Sequence, residues 1–100
     1  MIEKSVKNKD ELNDFLRDEK ELFFTNLIIC IQSAWEVGDS AVDIATFHIE
    51  ETSTVMDIVI TSDDWLESLN LALFYFENVE NYEYCEEIKQ TISKIDDDEW

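Results

Sequence analysis

Near the end of the chain Glu80, Glu83 and Glu87 recur at spacings of three and four residues. On a helix of 3.6 residues per turn these fall within about a sixth of a turn of one another. The spacing predicts an acidic ridge with axial steps of about 4.5–6 Å, comparable to the charge spacing along a nucleic-acid strand. A row of fixed carboxylates at that pitch can occupy a site built for phosphates. Glu77 and Glu86 extend the ridge, as do Asp63, Asp64 and Glu67 at the start of the preceding helix if the two helices run antiparallel. An outer helix face is ordinarily charged, so charge alone says little. The informative property is its sign: exposed helices commonly mix Glu with Lys at i,i+4, yet this one has no basic residue until Lys89.

The same asymmetry runs through most of the chain. Between Glu21 and Glu87 there are fifteen acidic residues and no Lys or Arg, and the formal net charge is −18. Carboxylates about 6 Å apart repel by just under ~1 kcal/mol even in water, and solubility needs far less charge than this. The balance excludes a direct nucleic-acid binder of the usual kind, whose phosphate affinity comes from Lys and Arg, and it excludes anionic membrane surfaces. It does not make the chain disordered, because 45% of residues are hydrophobic and 12% aromatic, unlike acidic disordered segments.

Other chemistry finds little support. Cys30 and Cys85 are lone thiols in apolar surroundings without a CxxC pair, expected to be buried, reduced packing residues. His48 is the only histidine and has no Ser or Cys placed by a recognisable motif as its nucleophile. The tail Asp96–Trp100 lacks the alternate oxygens, central Gly and later Glu of a calcium loop and reads as a solvated end, so no metal is assigned. With one Gly there is no phosphate-binding loop, and no cofactor is expected. Among twenty-five acids some pair lies 5–9 Å apart in any compact fold, so paired carboxylates do not argue for catalysis. Enzyme activity is not expected.

The elements that must position the acids follow from periodicity. Asn8 followed by Glu11 reads as a helix cap, after which Leu12, Phe15, Leu16, Phe23, Leu27, Cys30, Ile31 and Ala34 recur at helical spacing up to a stop at Gly38. The stretch 22–33 is rich in β-formers, which leaves open a break near Thr25–Asn26 or a third strand there. Ala41–Ile49 and Thr54–Ile60 read as a β-hairpin that needs a helix on one face. Thr61 or Ser62 caps the next helix, with Trp65, Leu66, Leu69, Ala72, Leu73 and Phe76 as its core stripe. Asn78 or Asn81 restarts the chain as a last helix whose core side is Tyr82, Cys85, Ile88, Ile92 and Ile95. The expectation is one α+β domain over residues 1–100, in the order α-β-β-α-α.

The penultimate helix is apolar almost all round, since Leu71, Phe74 and Tyr75 lie away from its core stripe. Such a helix is either buried between two layers, the expectation for so small a domain, or presents an interface. In the second case a homodimer stays open, as does an apolar anchor beside the acidic ridge.

These features predict an acidic protein-binding inhibitor that imitates nucleic-acid phosphates and occludes the basic groove of a nuclease, restriction or defence enzyme, or polymerase. A phage-type anti-defence protein and an immunity protein are the same device physically. The alternative is a small helical adaptor or assembly subunit that works through Leu71, Phe74 and Tyr75, its acidity incidental. Nothing at the N-terminus matches a signal peptide, and an apolar run such as Leu27–Ile31 is far too short to cross a bilayer, so a soluble, cytoplasmic setting is expected.

Overall fold

The computed structural model describes residues 1–97. Asn8 starts the first helix, α1 (Lys9–Asp18), by accepting the Glu11 N–H on its side-chain oxygen at 2.9 Å. This helix stops at Glu19, and the chain resumes at once as α2 (Lys20–Val37). One unbroken helix to Gly38 was expected, with Thr25–Asn26 as its weak point. The break falls earlier because the two halves serve different parts of the core. Leu12, with Phe15 and Leu16, packs on Val6, Ala45, Phe47 and Ile49, whereas Leu27, Ile28, Ile31 and Ala34 pack on the later helices. The charged run Asp18–Glu21 between them has no apolar side chain to hold a continuous axis.

The alternative of a strand over 22–33 is overturned. Residues 20–37 are helical throughout, and Leu27, Ile28, Ile31 and Ala34 are buried at helical period. The β-branched Ile28 and Ile31 serve burial on a broad helix face. Gly38, at φ +79°, closes α2, and the Asp39 N–H returns to the Ala34 carbonyl at 2.9 Å.

The hairpin forms as β2 (Ala41–Ile49) and β3 (Thr54–Thr61), antiparallel, with Ser53 at φ +51° in the turn. A strand that the sequence pattern does not predict, β1 (Ile2–Val6), pairs parallel to β2, giving a sheet in the order β1-β2-β3. The α1–α2 pair is the crossover that a parallel connection requires. Between Asp43 and Ala45 the β2–β3 register shifts by one residue, so that Ile44 and Ala45 both face inward and both are fully buried.

A 3₁₀ turn at Ser62–Asp64 leads into α3 (Trp65–Asn78). Neither expected cap, Thr61 or Ser62, makes a side-chain cap bond; instead the indole Nε1 of Trp65 donates to the Ile60 carbonyl at 3.1 Å and ties the helix start to β3. Asn81 caps α4 (Tyr82–Asp97), accepting the Tyr84 N–H at 3.3 Å. Tyr82, expected on the core side, is exposed, and Tyr84 stacks on Phe76 at 4.8 Å between ring centres. Cys85, Ile88 and Ile95 are buried as expected, and both cysteines are buried and free.

The described residues form a small α+β domain of three strands and four helices, with β1 ahead of the expected order. The helices cover one sheet face; the other, carrying Glu3, Ser5, Thr46, His48, Val55, Asp57 and Val59, is open. No described helix is long and apolar enough to cross a membrane.

Candidate interaction surface

The acids are surface groups throughout: every described Asp and Glu is exposed. Among the described residues ion pairs involve only Arg17 with Asp14 and Asp18, both at 3.1 Å; His48 Nε2 lies 3.5 Å from a Glu3 carboxylate oxygen. The hydrogen bond that Arg17 Nε donates to the Asp18 carboxylate, then the charges of Asp18 and Asp14, raise the guanidinium pKa above its ordinary value. From Glu21 onward no described carboxylate is neutralised by a basic side chain.

The predicted ridge is only partly assembled. Glu80 does not lie on the last helix; it sits at φ +60° in the turn before α4. Glu83 and Glu87 share one face of α4, but that face continues through Gln90 to Lys94, so the run of acids is one helical step long. Glu87 also accepts from Gln32 Nε2 at 3.3 Å, and Gln32 donates to Thr91 Oγ1 at 3.0 Å, which joins α2 to α4. Glu86, three residues after Glu83 and so its neighbour on the helix surface, is exposed. With α3 and α4 joined by three residues and packed side by side, Glu77, Glu80 and Glu83 gather at their connection. Asp63, Asp64 and Glu67 stand at the opposite end of α3, about 20 Å away along its axis. Six of the eight candidate acids therefore form two groups, with Glu86 and Glu87 further along α4.

The group at the connection adjoins an apolar groove. Leu71 is 59% and Phe74 69% exposed, contrary to the expectation that this face is buried internally. Tyr75 is half-buried, its ring stacked on Phe24 of α2 at 5.3 Å, and both rings line the groove. Leu71, Phe74, Asn78, Val79 and Lys20 complete the lining of this open groove of about 400 Å³. Asn78 Nδ2 is occupied, donating to the Phe74 carbonyl at 3.0 Å. The local cause is α3 itself: Trp65, Leu69, Ala72 and Phe76 satisfy the core, so the apolar residues on its other side are left outside.

Phe24, Val79 and Lys20 were missed from the sequence. Phe24 carried a usable signal, since Phe23 and Phe24 are about 100° apart on a helix and cannot take the same position in one stripe. A notch of similar volume, about 420 Å³, lies between Asn8–Asp10 and Ile49–Thr52 but mixes Lys9 with Asp10 and Glu51. Among the described residues no group of three or more His, Cys, Asp or Glu is arranged to hold a metal ion. The remaining tail residues, Asp98, Glu99 and Trp100, lie outside the described residues; Asp96 and Asp97 close α4.

No family model, curated protein or solved structure matches this chain.

Proposed function

We propose that this chain is an acidic binding protein that docks on the basic, nucleic-acid-binding surface of another protein and occludes it, acting as an inhibitor and not as a catalyst. The observation that carries the reading is one juxtaposition: an open apolar groove, with Leu71 and Phe74 exposed, beside a helix connection bearing Glu77, Glu80 and Glu83 without a neutralising partner. The groove supplies affinity insensitive to salt, and the carboxylates steer a cationic partner and take the place of phosphates on its Lys and Arg. Nucleases, restriction or defence enzymes and polymerases present surfaces of this kind.

Exposure of the Leu71–Phe74 face also favours a second reading, a helical adaptor or homodimer joined through the groove with the acids as bystanders. The two separate in a capture experiment on lysate, run with and without nuclease treatment. Inhibition by occlusion requires a captured nucleic-acid-binding protein that DNA or RNA displaces and that the combined Glu77→Gln, Glu80→Gln and Glu83→Gln variant no longer retains. Capture that survives the triple substitution but disappears with Phe74→Ala overturns occlusion and leaves the adaptor.

A further inference from the structure

The two edges of the sheet are treated differently. β1 is five residues long and carries Glu3 and Lys4, the Lys4 ammonium lying 5.3 Å from the centre of the Phe15 ring. Short length and charge are the usual means by which an edge resists pairing. β3 is longer and is charged at Asp57 alone. It runs for eight residues as Thr-Val-Met-Asp-Ile-Val-Ile-Thr, without Lys, Arg or Pro and without a bulge of its own. Thr54 to Asp57 are all exposed, and Val55 and Val59 are 57% and 51% exposed on the open sheet face. Its single charge, Asp57, sits between those valines and accepts from Thr46 Oγ1 at 2.8 Å, which keeps the carboxylate on the open face.

We propose that the free edge of β3 is a docking site for an extended basic segment of another protein, which adds a fourth strand to the sheet. An unprotected edge offers its unpaired backbone groups to a strand, and the side chains select which strand. Charge identifies the occupant. Acids bracket β3, with Glu50 and Glu51 before it and Asp63 and Asp64 after it, and Asp57 marks its middle. Antiparallel pairing with a second copy sets Glu50 and Glu51 of one chain against Asp63 and Asp64 of the other at both ends, and in-register parallel pairing sets Asp57 beside Asp57. Like charges directly opposite are destabilising, so self-pairing is disfavoured by either route. A segment with β-branched residues opposite Val55 and Val59, Lys or Arg opposite Asp57, and basic residues at both ends meets every one of these positions over about 26 Å. The edge shares no residue with the α2–α3 groove, so its test stands whether or not the acidic connection binds a basic protein.

The probe is the synthetic peptide Lys-Arg-Val-Thr-Lys-Thr-Val-Arg-Lys, titrated into isotopically labelled protein at low ionic strength and followed by amide NMR. Shifts and slowed exchange should concentrate on residues 54–61. N-methylation of alternate peptide nitrogens should weaken binding at least tenfold, and Asp57→Lys and Val59→Lys should each weaken it about five- to tenfold. Both substitutions are at exposed positions, so the folded spectrum serves as their control. Equal binding of the N-methylated peptide, with shifts spread over the acidic surface, overturns the proposal as unspecific charge attraction. A concentration-dependent dimer that protects the 54–61 amides without peptide overturns it in favour of a second copy.

Discussion

Asn26 in α2 donates its side-chain Nδ2 to the main-chain oxygen of Ile44 at 2.6 Å, and Ile44 is the residue the β2–β3 ladder skips. The bulge turns two consecutive apolar residues inward but leaves Ile44 without a cross-strand partner on β3. A buried carbonyl left unpaired is costly, so the helix that covers the sheet supplies the missing donor. Cys30 Sγ, 3.8 Å from the Asn26 side-chain oxygen, holds the amide from the other side.

Asn26→Asp keeps the shape of the side chain and removes the donor. It should therefore destabilise the fold by about 2–3 kcal/mol, more than Asn26→Ala at about 1–2 kcal/mol, since it also places a charge against a carbonyl. Urea unfolding checks this through the midpoints, with the slopes unchanged. Equal stability of Asn26→Asp and wild type would remove Asn26 from this role.

This contact also explains what the sequence did and did not reveal. Asn26 in a β-rich stretch looked like a helix break, because its partner Ile44 is eighteen residues away and invisible to local pattern. Locally decided features were legible: the Asn8 cap, the Gly38 stop, the hairpin and the buried stripes of α3 and α4 all depend on neighbours within a turn or two. β1 was not, since a five-residue strand bearing Glu3 and Lys4 becomes a strand only through parallel pairing with β2 some forty residues on. At the candidate site the Leu71–Phe74 face was legible in composition but not in exposure. Glu80 was misplaced because the connection ends α3 at Asn78 and uses a left-handed residue before α4 restarts.

Gly38 tests the end of α2 separately from packing. A Cβ at this position meets no atom within 4 Å, so Gly38→Ala pays only for holding an L side chain at φ +79°. The expected loss is about 1 kcal/mol, with Gly38→Asn milder, read as shifts in thermal midpoint. A loss of 3 kcal/mol or more in thermal or urea unfolding (~3, beyond the conformational term) would mean that the position is crowded.

Phe74 and Phe76 lie two residues apart and should behave oppositely. Phe76 is fully buried and stacked on Tyr84, so Phe76→Ala should cost about 3–5 kcal/mol. Phe74→Ala should change stability by no more than about 0.5 kcal/mol while weakening any groove-dependent association. A large stability loss at Phe74 would show that the groove is structural.

The unopposed acids should destabilise the isolated protein through self-repulsion that salt screens. Raising NaCl from about 0.05 to 0.5 M should raise the thermal midpoint by a few degrees, an order of magnitude set by roughly 1 kcal/mol of relieved repulsion. Glu77→Gln, Glu80→Gln and Glu83→Gln together should give a smaller rise at low salt and a weaker response to added salt. A midpoint that falls with NaCl would show that favourable ion pairs outweigh the repulsion.

Under occlusion, a cationic partner uses one surface for nucleic acid and for this protein. The most direct measurement titrates a captured partner with this protein in the presence of increasing DNA or RNA. Occlusion predicts that the apparent dissociation constant rises in proportion to nucleic-acid concentration, with no ternary complex. A ternary complex, or an affinity unchanged at saturating nucleic acid, would contradict it.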